Sequence, residues 1–210
     1  MKIAIIGAGN VGGTLGKRWA KIGHQIQFGV RNAAKLEVVA LLKEMEGRAD
    51  AAGVADASSF GEVVVLTTPW NATRAALQSA GDLAGKVVVD CTNPLKPDLS
   101  GLTLGLETSA GEQVAQWAKG ARVVKCFNTT GAPNMARPDY GGQPLTMFLC
   151  GDDPDAKATV AALAEQIGFE PADAGPLTAA RLLEPLAMLW IHLAFAQGWG
   201  TGFGLRVVRR

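Results

Sequence analysis

The sequence predicts an α/β fold of the doubly wound kind, with a mostly parallel sheet and a C-terminal strand–helix extension ending in a long apolar helix. Three observations predict it. Short runs such as Ile3–Ile6, Val63–Leu66 and Val87–Val89 are apolar throughout, as parallel strands covered on both faces are. Between them lie stretches whose apolar residues recur at helical spacing. Glycines cluster where strands would hand over to helices, first at Gly7–Gly12.

Taken in order, the strand Ile3–Ile6 leads into a helix over Asn10–Lys21, with Val11, Leu15 and Trp19 on one face and Gly23 ending it. A strand over Gln25–Gly29 and a helix over Ala33–Glu46 follow, then a weak strand near Ala52–Val54. The strand over Glu62–Thr67 meets a helix opened by Pro69, whose missing N–H is harmless in a first turn. After the strand Lys86–Asp90, Asn93–Leu106 reads as loop, Glu107–Lys119 as helix and Arg122–Cys126 as strand. Asn128–Pro144 is irregular. Strands over Pro144–Cys150 and Phe169–Ala172 flank a helix over Pro154–Ile167. Last comes Thr178–Gln197, a helix apolar nearly all round and interrupted by Pro185. The expectation is one domain over residues 1–210, with 178–210 as a helix and tail suited to a dimer contact.

Composition narrows the partners. Hydrophobic residues make up 48% and charged residues 19%, which fits a chain that buries a core. The net charge of +1 has no basic stripe, so no nucleic-acid partner is expected. Cys91, Cys126 and Cys150 are odd in number and lack metal-ligand spacing, so buried thiols, no metal and a reducing, cytoplasmic setting are expected. The run Ile3–Ile6 enters a glycine loop without a cleavage site, so no leader is expected. No membrane span is expected either, because Glu184, Pro185, His192 and Gln197 interrupt the longest apolar region.

The chemistry concentrates at Gly7-Ala8-Gly9-Asn10-Val11-Gly12, a G-x-G-x-x-G pattern between a strand and a helix. In a Rossmann fold the first glycine permits the tight turn, the second lets the backbone approach a pyrophosphate, and the third lets helix and strand pack closely. Free N–H groups and the positive helix end then meet the phosphates. NAD-binding sites place an acidic residue about 20 positions further on. Here the second strand ends in Gly29-Val30-Arg31-Asn32 without one, and Lys35 follows. A guanidinium binds a 2′-phosphate through a forked pair of hydrogen bonds, so NADP(H) is the expected cofactor. The alternative is that Arg31 only packs over the adenine, as happens with NAD too. Thr68, Pro69 and Trp70 after one strand, and Asn93, Pro94 and Leu95 after the next, are the expected contacts towards the nicotinamide.

These residues resemble a known family, the NADPH-dependent oxidoreductases typified by the enzyme that reduces the deazaflavin coenzyme F420. The resemblance runs over essentially the whole chain. It is carried by Gly23-His24, Gly29-Val30-Arg31, Thr68-Pro69-Trp70 and Cys150-Gly151-Asp152-Asp153. Asp173-Ala174-Gly175-Pro176-Leu177, Ala180–Glu184 and the glycine-rich tail from Gly200 to Arg206 extend it. Lys125–Thr130 is more similar to the cytosolic NADPH-binding domain of six-transmembrane metalloreductases.

The resemblance implies hydride transfer between NADPH and a deazaflavin or flavin-type acceptor, and a homodimer covering the last helix. Such a transfer needs proximity and orientation, so no catalytic residue is nominated. Asn128, Thr129 and Thr130 carry over as acceptor-side contacts, or else form a loop that satisfies its own backbone. His24 and His192 read as structural, and Asp152 and Asp153 as turn or capping residues before Pro154. Imine and 3-hydroxyacid reductases begin similarly but add a longer helical domain. A dinucleotide-binding module without turnover, or an NADPH-dependent ferric or flavin reductase, are the alternatives. The last helix is alternatively a core helix of a monomer.

Overall fold

The computed structural model describes residues 1–210. Eight strands form one sheet: β1 (Lys2–Ile6), β2 (Gln25–Gly29), β3 (Ala49–Ala52), β4 (Val63–Leu66), β5 (Val87–Asp90), β6 (Arg122–Lys125), β7 (Thr146–Gly151) and β8 (Glu170–Asp173). Their order is β3-β2-β1-β4-β5-β6-β7-β8. All neighbours are parallel except β6 and β7. The chain winds outward from β1 in one direction and resumes at β4 in the other. The β1/β4 boundary is therefore the switch point at which doubly wound sheets bind ligands.

Helices cover both faces: α1 (Asn10–Lys21), α2 (Leu36–Glu44), α3 (Val54–Phe60), α4 (Trp70–Ser79), α5 (Ala110–Trp117), α6 (Ala132–Ala136), α7 (Pro154–Gln166) and α8 (Ala180–Ile191). Alternate residues of β1 feed two cores. Ile3 and Ile5 join Leu15, Trp19, Phe28 and Leu163 on one face. Ala4 and Ile6 join Val64, Leu66, Leu77, Val114 and Leu183 on the other. Trp19 is wholly buried, and its indole N–H donates to the Leu163 carbonyl at 3.1 Å, tying α1 to α7. A Trp19→Ala cavity would destabilise the fold by about 3–5 kcal/mol.

Most elements lie where the sequence places them. β3 begins three residues earlier than expected, because Ala49–Ala52 has none of the β-branched residues that mark a strand. The short helices α3 and α6 lie in stretches with too few turns to show periodicity. α5 begins at Ala110, where the Ser109 hydroxyl accepts the Glu112 N–H and donates to the Glu112 carboxylate. The helix expected over Thr178–Gln197 is a 3₁₀ turn (Leu177–Ala179), α8 and a π-helical segment (His192–Ala196). By length and composition alone Leu177–Ala196 is apolar enough to cross a membrane, a test that the core helix of a soluble protein also passes. One face of it, however, carries Leu183, Glu184, Ala187 and Trp190 buried within the chain.

Candidate functional site

Five strand ends deliver their following loops to the carboxyl edge of the sheet, around the switch point. After β1, Gly7 adopts φ +110°, which an L-residue rarely tolerates, and its N–H donates to the Gly29 carbonyl at 3.1 Å. Gly12 is required for a different reason: a Cβ there would lie 2.1 Å from the Gly7 carbonyl oxygen. A Cβ on Gly9 would meet no protein atom within 4 Å, so that side of the turn is open. The first ladder bond of α1 runs from Gly13 N–H to the Gly9 carbonyl at 2.7 Å. The helix has no side-chain cap and no acidic residue in its first turn. The N–H groups of Asn10, Val11 and Gly12 thus have no acceptor in the chain, and the positive helix end is uncompensated.

Thr67, which the sequence places at the end of a strand without this role, props the turn from the end of β4. Its hydroxyl lies 3.1 Å from the Ile6 carbonyl and 3.0 Å from the Gly7 carbonyl. A Thr directly after an apolar strand at the switch point was the available signal.

Arg31 follows β2, exposed and free of any ion pair or hydrogen bond within the chain. Asn32 is occupied by a turn, its Oδ1 accepting the Ala34 N–H at 2.9 Å. Lys35 lies 3.5 Å from Glu37, and both are exposed. Arg31 is accordingly the unengaged cation of this group, and no carboxylate lies between Phe28 and Leu36.

After β4, Thr68 shares a hydrogen bond with Thr73 at 3.0 Å, and Pro69 occupies the N-cap of α4. Trp70 is stacked on Trp117 with ring centroids 5.2 Å apart, so its indole joins α4 to α5. After β5, Leu95 forms an isolated bridge with Leu102, and Thr103 closes on the Pro94 carbonyl. Asn93 reaches across to the loop after β6.

That loop opens with Phe127 at φ +59°, strained for a bulky residue. Its ring is buried edge-on against Trp19 and Phe169, which holds the turn. The turn presents Asn128, whose amide pairs with that of Asn93: Asn93 Nδ2 donates to the Asn128 carbonyl at 2.9 Å, and Asn128 Nδ2 to Asn93 Oδ1 at 3.0 Å. Asn128 Nδ2 also donates to the Leu183 carbonyl of α8. Its Oδ1 is buried without a donor, a deficit worth about 1–3 kcal/mol. Thr129 is buried beside it, and the Thr130 hydroxyl accepts from Asn134 at 2.8 Å.

Beneath this amide pair lies an ion cluster that the sequence did not reveal. Lys125 Nζ is 2.9 Å from both Asp90 Oδ2 and Glu184 Oε1, and all three side chains are buried. It also donates to the Thr92 carbonyl. Asp90 Oδ1 accepts the Thr92 N–H and hydroxyl at 2.9 and 2.7 Å. Glu184 accepts the Ala110 and Gly111 N–H groups at 3.0 and 3.1 Å, capping α5. Burial alone would lower the Lys125 pKa, but the two carboxylates outweigh it and hold the group above its ordinary value. The available signal was three charges each flanked by an apolar run.

The remaining candidates are structural. All three cysteines are buried, and burial pushes the Cys150 thiol up to about 12. Asp153 caps α7 through the Ala156 N–H, and Asp152 accepts the Leu177 N–H. His24 bonds Gln166, and His192 lies 3.1 Å from the Gln197 amide nitrogen. No cluster of His, Cys, Asp or Glu is arranged to hold a metal.

Comparison with known proteins places this geometry. Residues 2–94 match the family model described as NADP oxidoreductase coenzyme F420-dependent. The crystal structure of a protein from Arthrobacter sp. FB24, described as a putative F420-dependent NADP-reductase, is 35% identical. It superimposes with a TM-score of 0.90 over 100% of both chains. Metalloreductase STEAP3 of Rattus norvegicus is 30% identical over 90% of this chain, and glycerol-3-phosphate dehydrogenase [NAD(P)+] of Corynebacterium jeikeium is 32% identical over 78%. The chain spans 37% of the first and 51% of the second of these two relatives.

Proposed function

This chain belongs to the family of coenzyme F420-dependent NADP oxidoreductases, and we propose that it transfers a hydride between NADPH and a deazaflavin or flavin-type acceptor. One observation carries the proposal. The open glycine turn, with its free helix N–H groups, lies beside an unpaired guanidinium at the end of the neighbouring strand.

The residues present fit NADP(H). The backbone of Gly7, Ala8, Gly9, Asn10, Val11 and Gly12 would hold the pyrophosphate. Arg31 would take the 2′-phosphate, with Asn32 and Lys35 framing it. The loops Thr68–Trp70 and Asn93–Leu95 would border the nicotinamide half. When bound, the dihydronicotinamide supplies the hydride. Asn128 Oδ1, buried without a donor, would accept a ligand N–H, with Thr129 and Thr130 beside it. The protein's part is orientation, which needs no acid or base.

The exposed face of α8 supports a homodimer. Leu182 is 70% and Leu189 52% exposed, one helical face with the half-buried Leu186 and Leu193. Three free, buried cysteines support a cytoplasmic location. The Lys125–Thr130 segment and the likeness to the metalloreductase favour one second reading, an NADPH-dependent ferric or flavin reductase.

Stopped-flow oxidation of NADPH against deazaflavin, flavins and ferric chelates tests the proposal. Rapid oxidation by deazaflavin is expected. Oxidation by ferric chelates alone supports the second reading, and no oxidation by any acceptor makes the chain a binding module.

A further inference from the structure

A network of three ionised side chains is a poor device for stability. Desolvating them offsets most of their attraction, and apolar residues of similar volume do as well. What a fully satisfied network supplies is geometry. This one joins five segments: the end of β5 through Asp90, the Thr92 loop, β6 through Lys125, α8 through Glu184, and the start of α5 through the Ala110 and Gly111 N–H groups that Glu184 accepts. Both hydrogen-bonding groups of the Thr92 backbone belong to it, the carbonyl bonded to Lys125 and the N–H to Asp90.

The next residue, Asn93, forms the reciprocal amide pair with Asn128. Asn128 in turn grips the carbonyl of Leu183, the residue before Glu184. Two bridges, one ionic and one amide, therefore fix the same point of α8 to the floor of the site. With Lys125 absent, two carboxylates would face each other in a buried volume, and the Thr92 carbonyl would lose its donor.

We propose that Lys125, Asp90 and Glu184 are positioning residues for hydride transfer: they lock Thr92 and Asn93 so that the Asn93–Asn128 amide pair faces the nicotinamide end of the dinucleotide in one register. The proposal rests on the NADPH reading given above. It assigns the cluster no contact with the reacting atoms, and it makes α8 part of the site through Glu184.

Lys125→Met tests it, with four measurements. They are NADP⁺ affinity by calorimetry, emission of bound NADPH, the single-turnover rate per folded molecule well below the melting temperature, and a ligand-free crystal structure. The phosphate-binding end is untouched, so NADP⁺ affinity is expected to stay within about threefold. Misplacing the ring end is expected to slow the single-turnover rate by about tenfold to hundredfold, to shift NADPH emission and to separate Asn93 from Asn128.

A folded variant with an unaltered rate and an intact amide pair would overturn the proposal. So would an affinity loss that leaves the rate unchanged. If Lys125→Met does not fold, Glu184→Gln, which keeps the volume and one accepting oxygen, is measured in its place. The same split is expected, and an unaltered rate again overturns the proposal. Should the wild-type chain itself fail to bind NADP⁺, the functional reading fails, and the ligand-free structure still decides whether the cluster sets the amide pair.

Discussion

Arg31 has no partner in the chain although Asn32 and Lys35 beside it are engaged. An unpaired exposed guanidinium contributes little to stability, so replacing it reports on ligand alone. Arg31→Ala is expected to weaken NADPH about tenfold to hundredfold, or about 1.4–2.7 kcal/mol, and to leave NADH nearly unchanged. Equal weakening of both would mean that Arg31 packs on the adenine. The glycine loop and Arg31 were legible in the sequence because backbone chemistry fixes their residue types and spacing. Thr67 and Lys125 were less so. Their roles depend on which carbonyls a fold brings near, such as Ile6 and Gly7 for the Thr67 hydroxyl, across 60 or so positions of chain. Tertiary neighbours of that kind leave no local periodicity.

Between elements, α8 carries the decisive contacts. Arg181 forks onto Glu112 of α5, with bonds of 2.8 and 2.6 Å. The Arg181 guanidinium holds the Glu112 carboxyl below its ordinary value. A depressed folded-state pKa gives stability that is present above the unfolded value and lost as pH falls through the folded one. Arg181→Ala is therefore expected to lower the melting temperature slightly at neutral pH, since the pair is partly exposed. That gap, read from thermal melts of both proteins, should close below about pH 4. A gap constant with pH would locate the effect in packing. On the opposite face, Leu189 is exposed on a helix whose buried side is already satisfied. Leu189→Lys is expected to convert the proposed dimer to a monomer in analytical ultracentrifugation with little loss of melting temperature. A wild-type mass of one chain would contradict the proposed dimer, and a dimer mass unchanged by the substitution would contradict a contact through α8. Sequence periodicity could see that α8 was too apolar for an ordinary surface helix. It could not tell which face the chain itself covers, because that depends on Glu184 turning inward to Lys125.

Across the whole molecule, the two halves of the sheet do different work. The half built on β1 to β3 offers the glycine turn and Arg31. The half from β4 to β8 offers the amide pair, the ion cluster and the helix that closes them. The parallel order was predictable from the strands because full burial on both faces demands uninterrupted apolar runs, as in Val63–Leu66 and Val87–Val89. The antiparallel turn-back at β7 was not, since a strand's direction depends on the path of the loop before it. The account as a whole stands on where a dinucleotide lies across these halves. A crystal soaked with NADP⁺ measures this directly. The expected density places the pyrophosphate on the N–H groups of Asn10, Val11 and Gly12, and the 2′-phosphate against Arg31. An empty turn after β1 in a fully soaked crystal, or a 2′-phosphate bound away from Arg31, would contradict it.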